Sequence, residues 1–152
     1  MKKLLLVIVL LIPVIGMSQK INKNQWYIYS DAVEFRVVNV GKSKFYEKGN
    51  TTYYAEKGER FFKLMFEFKN TSSEEQEIDF EKIFILDPED YLHNAEQVLV
   101  NLKVTTNPFK LQHMLKANKK RKIIAVFLPP LPKDQTINRL VINDEIYELE
   151  YN

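Results

Sequence analysis

The sequence predicts an all-β fold: two packed layers holding about seven strands, with one short helical insertion near residues 107–116. Three observations predict it. Phe62, Leu64, Phe66 and Phe68 alternate with Lys63, Glu67 and Lys69, a period of two that only an extended strand converts into one apolar and one wet face. Strand-like runs then recur along the chain with turn residues between them. The chain has no cysteine, while 45% of its residues are apolar, so burial rather than cross-linking has to hold the fold. Such strands need a second apolar layer to face, which is what a sandwich supplies.

The elements follow in order. Met1-Lys2-Lys3 is basic, Leu4 to Ile15 is apolar apart from Pro13, and Gly16-Met17-Ser18 places small residues before Gln19. This order predicts a signal peptide over residues 1–18 and one mature domain over 19–152. The apolar run is shorter than the ~20 residues a spanning helix needs. Cleavage is therefore expected, with a retained N-terminal anchor as the alternative. No cysteine follows the run, so a lipid-modified mature N-terminus is excluded. The expected location is extracytoplasmic, periplasmic or secreted, with the membrane met only through the leader before cleavage.

Trp26 to Tyr29 and the alternating Val33, Phe35 and Val37 read as a first strand, kinked at Ser30-Asp31. Gly41 to Gly58 is a long connection with a small hairpin around Gly49-Asn50, Tyr46 on one arm and Tyr53 and Tyr54 on the other. The Phe62–Phe68 strand ends at Asn70-Thr71-Ser72-Ser73 and is expected to form a central hairpin with the run from Ile78 to Leu86. Asp87-Pro88-Glu89-Asp90 is a turn. Val98, Val100, Leu102 and Val104 alternate as a further strand. Leu111, Met114 and Leu115 fit one or two helical turns, capped by Asn107 with Pro108 in the first position. Ile123 to Leu128 is a buried strand stopped by Pro129-Pro130, and Leu140–Ile142 and Tyr147–Tyr151 flank a closing turn at Asn143-Asp144.

Charge excludes one class of partner. Removing Lys2 and Lys3 with the leader takes the basic residues from 22 to 20, equal to the 20 acidic ones. A neutral domain is not a nucleic-acid binder, because phosphate binding needs a basic surface. The dense run Lys119-Lys120-Arg121-Lys122 reads as a solvated turn entering a strand.

The pattern Gly58, Phe62-Leu64-Phe66-Phe68, Asn70-Thr71, Ile78-Asp79-Phe80 and Ile85-Leu86-Asp87 resembles exported bacterial immunoglobulin-like domains of unknown function. This group is related in fold to the mycobacterial immunoprotective-antigen sandwich. The later Ile123 to Pro129 looks like that group's apolar strand closed by Phe-x-Pro. Two departures stand out: Pro88-Glu89-Asp90 replaces a glycine usual after the Asp, and Asn118 replaces a glycine before the basic turn. Asn tolerates positive φ, so the second change is mild. The resemblance implies an immunoglobulin-like sandwich with an exported, binding-type role, and it carries over no catalytic residue.

No catalytic constellation is present. The chain has two histidines, His93 and His113. With Met114 they lack the spacing of a metal site, so no metal and no cofactor is expected. Ser30, Ser43, Ser72 and Ser73 lie in turn-like contexts without a nucleophile elbow. Paired acids such as Glu74-Glu75, Glu89-Asp90 and Asp144-Glu145 read as solvated loops. Asn50-Thr51-Thr52 and Asn70-Thr71-Ser72 fit the N-glycosylation pattern but read as turns.

The sharpest functional signal is aromatic. Trp26, Tyr27, Tyr29, Tyr46, Tyr53 and Tyr54 crowd the N-terminal third. Exposed, they form a ligand-binding surface; packed, they are strand formers of the core. The expectation is a non-enzymatic exported binding or scaffold domain whose partner is a protein or cell-envelope component. The alternative is a carbohydrate-binding module using these rings on a glycan.

Overall fold

The computed structural model describes residues 20–100 and 110–152. The expected leader, Leu102, Val104, Asn107 and Pro108 lie outside the described residues. Twelve strands stand among them: β1 (Tyr27–Ser30), β2 (Val33–Ser43), β3 (Phe45–Lys48), β4 (Thr51–Tyr54), β5 (Glu59–Asn70), β6 (Gln76–Asp79), β7 (Ile83–Leu86), β8 (Leu92–Val100), β9 (Gln112–Leu115), β10 (Lys120–Pro132), β11 (Arg139–Ile142) and β12 (Glu145–Glu148), with one 3-10 turn at Phe80–Lys82. The fold is all-β and sandwich-like. Eight strands form one sheet in the order β1-β2-β5-β10-β8-β7-β11-β12, and β3-β4 and β6-β9 form two small ribbons.

β5 organises the core. Phe62, Leu64, Phe66 and Phe68 are at most 1% exposed, while Lys63, Met65, Glu67 and Lys69 on the opposite face are half-buried. The inward rings meet Phe35 of β2, Phe80 of the 3-10 turn and Phe127 of β10. Phe66 lies 6.3 Å from Phe35, 5.9 Å from Phe80 and 6.5 Å from Phe127 between ring centres.

The large sheet coils until its two edge strands face each other. Across that seam the Tyr27 hydroxyl donates to the Glu148 carbonyl (2.9 Å) and the Tyr147 hydroxyl to the Ile28 carbonyl (2.7 Å). Below them Lys20 and Asn152 exchange backbone hydrogen bonds, and Ile21 bridges to Tyr151. The two edge strands are thereby tied to each other by side chains.

Several expectations change in detail. The first strand is not one kinked strand: Ser30 to Val33 reverses the chain, so that Tyr27 pairs with Phe35 and β1 and β2 run antiparallel. β5 does not pair with the run that follows it. Its neighbours are β2 and β10, while β6 leaves for β9 and β7 joins β8 and β11. The helix expected over 107–116 is replaced, in its described part, by strand β9. Ile78 pairs with His113 and Gln76 with Leu115, and Gln112 Nε2 donates to Asp79 Oδ1 (3.2 Å). An i, i+3, i+4 apolar spacing across five residues is too short to resist tertiary pairing. About seven strands become twelve because these short segments each pair separately.

The turn readings hold. Lys48 pairs with Thr51 across Gly49-Asn50, and Gly49 has φ +60. Asn143 and Asp144 both take positive φ (50 and 67), the pairing a type I′ hairpin needs. Asn118 (φ 53) and Asp90 (φ 64) adopt the left-handed conformation at or beside the places where glycine is usual in the resembled group.

Candidate functional site

The six aromatic residues singled out by sequence separate into three groups. Tyr27 and Tyr29 belong to the core. Two residues apart on one strand, they share a face. Tyr27 stacks on Phe35 (5.2 Å) and Tyr29 meets Phe68 edge-on (5.6 Å, 87°). The Tyr29 hydroxyl accepts from the Asp79 amide (2.8 Å), and burial pushes its pKa up.

Trp26 stands apart on the outer face of β2, β5 and β10, ringed by cations. The Arg36 guanidinium lies 4.7 Å from the indole centre, Lys120 Nζ 5.7 Å and Lys69 Nζ 5.9 Å. Arg36 is held in turn by Glu67 (Nε–Oε2 2.7 Å) and Lys69 by Glu34 (2.9 Å). Cations over the electron-rich ring faces are an attractive arrangement.

Tyr46, Tyr53 and Tyr54 come together on the β3–β4 hairpin, which lies against the outer face of the large sheet. Tyr46 and Tyr53 are opposite each other in register and stack (5.0 Å, 14°). Tyr46 points into the sheet, 6% exposed, and meets Phe61 edge-on (4.9 Å, 73°). With Phe61 and Val126 it makes a second, small apolar cluster separate from the main core, joined by Ala55 and Leu128. A Lys48–Glu96 ion pair and a hydrogen bond from Gln97 Nε2 to the Glu47 carbonyl (3.0 Å) fasten the hairpin tip to β8. The rings left outside are Tyr53, 43% exposed, and Tyr54, 74% exposed and 6.0 Å from Phe45.

This packing leaves a cleft of about 570 Å³ beside the hairpin. The stacked tyrosines and Phe61 form one wall, Pro129 and Pro130 the other, and Glu56 and Glu59 stand at its rim. The Leu128-Pro129 peptide is cis. A rigid apolar cleft with a few carboxylates at its edge suits a ligand that offers both a flat apolar surface and hydrogen-bond donors. Nothing in it arranges a nucleophile, a base and an oxyanion pocket.

Two sites were not legible from sequence. The first is a buried pair behind the proline wall. His93 is 4% exposed; its Nε2 lies 3.0 Å from Asp87 Oδ2 and its Nδ1 3.0 Å from the Pro129 carbonyl. Burial alone would raise the Asp87 carboxyl. The hydrogen bonds from His93 and from the Tyr91 and Glu89 amides outweigh that and hold it below the usual carboxylate value. Both nitrogens of His93 are thereby engaged, and His113 and Met114 are consecutive strand residues facing opposite sides, so these three do not converge on a metal. The second is a basic pocket behind Tyr54, lined by Lys44, Lys57, Arg60 and Lys133. Its residues come from three separate stretches of chain, which the pairing of β5 with β2 and with β10 brings together.

No family model and no curated protein matches this chain. Two solved structures share its fold. One is an uncharacterized β-sandwich protein from Clostridium difficile 630, with a TM-score of 0.51, 17% identity, and coverage of 84% of this chain and 89% of that one. The other is a conserved hypothetical protein from Bacillus anthracis, with a TM-score of 0.57, 16% identity, and coverage of 86% and 94%. At such identities the likeness establishes the sandwich architecture alone.

Proposed function

We propose that this is a non-enzymatic, exported, immunoglobulin-like binding domain, and that it recognises a cell-envelope component through the β3–β4 hairpin and the cleft beside it. One observation carries the reading. Tyr53 is held partly exposed over the cleft by its stack on the buried Tyr46, which has no role in the main core, and Tyr54, paired with Phe45 on the other face of the hairpin, stands open beside it. Rigid aromatic side chains fixed in this way bind with little loss of rotamer freedom, the property that makes tyrosine common in recognition surfaces. The basic-apolar-small order of residues 1–18 supports export. The match of Gly58–Leu86 to the resembled group supports the immunoglobulin-like form.

A protein partner would insert an apolar side chain between Tyr53 and the Pro129-Pro130 wall. A second reading, a glycan, is favoured by the placement of the open Tyr54 ring beside the carboxylate of Glu56 and four cationic side chains. Backbone amide NMR spectra titrated with solubilised envelope fractions test the surface. The expected shifts fall on Tyr46, Tyr53, Tyr54 and Leu128 and disappear in the Tyr53→Ala/Tyr54→Ala variant. Shifts confined to another face, or unchanged by that variant, contradict the reading.

A further inference from the structure

The pocket behind Tyr54 has a charge balance unlike the rest of this neutral domain. Lys44 lies between β2 and β3, Lys57 in the turn before β5, Arg60 on β5 and Lys133 just past β10. Three chain segments therefore bring four cationic residues to one space of about 570 Å³, within the ~300–1,000 Å³ usual for small-ligand sites. Glu56 is the one acid on its wall. Among the described residues none of the four cations forms an ion pair, although Arg36, Lys69 and Arg139 elsewhere each have a carboxylate.

The frame that holds these cations together is backbone. The Ala55 amide donates to the Lys44 carbonyl (2.8 Å), the Lys133 amide to the Gly58 carbonyl (2.7 Å), and the Glu59 amide to the Glu56 carbonyl (3.1 Å). Gly58 turns the chain at φ +99, a conformation that side chains rarely adopt. Lys42 Nζ donates to the carbonyls of Lys133 and Gln135 and steadies the far rim. Like charges held near one another by such a frame repel, and an anion entering among them relieves that repulsion. Arg60 uses one guanidinium nitrogen on the Glu59 carbonyl and keeps others to offer in a fork that suits a carboxylate or sulfate.

Tyr54 and Glu56 line both this pocket and the aromatic cleft. A ligand crossing the Tyr54 ridge thus meets a flat ring, a carboxylate that accepts hydroxyl hydrogen bonds, and then the cations. The side chains of an acidic peptide offer Glu56 no hydroxyl donor. A sugar carrying one anionic group among hydroxyls uses all three features.

We propose that the pocket is an anion subsite, and that its ligand is an acidic polysaccharide. One sugar ring lies on Tyr54 while its carboxylate or sulfate sits among Lys44, Lys57, Arg60 and Lys133. This rests on the hairpin being the recognition surface.

Calorimetric titration of the full mature domain with a galacturonate octamer and with a heparin octasaccharide tests it. Methyl-esterified galacturonate and an octaglutamate peptide serve as comparisons. At least one acidic saccharide is expected to bind, and neither comparison ligand to match it. Lys57→Ser/Lys133→Ser, both exposed, is expected to weaken binding about tenfold or more. Lys120→Ser/Lys122→Ser removes the same charge elsewhere and should change it by less than about twofold, because screening confines the effect to the pocket. The proposal is overturned if neither acidic saccharide binds, if both lysine pairs act alike, or if octaglutamate binds as tightly. Envelope binding lost in Tyr54→Ala but kept in Lys57→Ser/Lys133→Ser would sink the subsite and leave the hairpin reading standing. Envelope binding unchanged by either would sink both.

Discussion

Replacing Tyr46 with alanine should release the β3–β4 hairpin without unfolding the sandwich. Tyr46 is 6% exposed and is the residue through which the hairpin touches the sheet core, against Phe61 and Val126. Burying a large aromatic side chain contributes roughly 1.5–3 kcal/mol, and its edge-on contact with Phe61 adds about 0.5–1.5 kcal/mol. Truncation therefore removes on the order of 3 kcal/mol from docking. The surface ion pair to Glu96 and the hydrogen bond from Gln97 that remain are weak by comparison. An isolated two-stranded hairpin is marginal in water. Native-state amide exchange reads the result: the β3 and β4 amides should exchange about 100-fold faster, following the loss of about 3 kcal/mol of local stability. Amides of Leu64, Phe66 and Ala125 should stay protected. Unchanged exchange in the hairpin would refute the docking argument. Complete loss of protection in hairpin and core together would refute the claim that the two clusters are separate.

Three other outcomes follow from the same packing. Phe66→Ala deletes a fully buried ring that touches Phe35, Phe68, Phe80 and Phe127, and should cost about 3–5 kcal/mol in a urea denaturation of the whole domain. The Asp87 carboxyl is held below its usual value, so its contribution is complete above the unfolded value, ~3.9, and is lost as pH falls through the lower folded one. The stability gap between the wild type and Asp87→Asn, read by urea denaturation, should accordingly narrow as pH falls below about 4. Burial, helped by Glu145 beside Tyr147 and by Tyr27 near Tyr151, pushes the Tyr147 and Tyr151 hydroxyls up to about 12. Stability from these two is present below the unfolded value, ~10, and is lost as pH rises through about 12. A 295 nm titration should show both ionising late and together with loss of the fold.

The long strands of the main sheet were legible, though not their pairing, because the strand signal is local. Period two in Phe62–Phe68 has a single structural meaning, and each of those rings is buried as the alternation requires. Turns were legible for the same reason: Gly49-Asn50 and Asn143-Asp144 announce themselves in two residues. What was lost depends on long-range pairing. β6 and β9 lie more than thirty residues apart in sequence yet pair along four positions, and no local pattern in Leu111–Leu115 reveals that. Phe61 is 3% exposed on the face opposite Phe62, which alternation alone assigns to solvent, because the cover is a hairpin folded over from residues 45–54.

The site shows the same division. Tyr27 and Tyr29 could have been assigned to the core from their spacing of two beside an outward Ile28, which is 67% exposed. Tyr46 and Tyr53 could have been paired across Gly49-Asn50, but not which of the two would be buried. The basic pocket had no sequence signal at all. Lys44, Lys57, Arg60 and Lys133 look like ordinary surface charges until β2, β5 and β10 align them.

Hydroxyl-radical footprinting read by mass spectrometry tests the placement and use of the hairpin most directly. In the free protein Tyr53 and Tyr54 should be modified readily, and Tyr29 and Tyr46 slowly. On addition of envelope material Tyr53 and Tyr54 should become protected, while Tyr91, exposed on a different turn, stays reactive. Equal labelling of Tyr46 and Tyr54, or a hairpin whose labelling ignores the envelope fraction, would contradict the account.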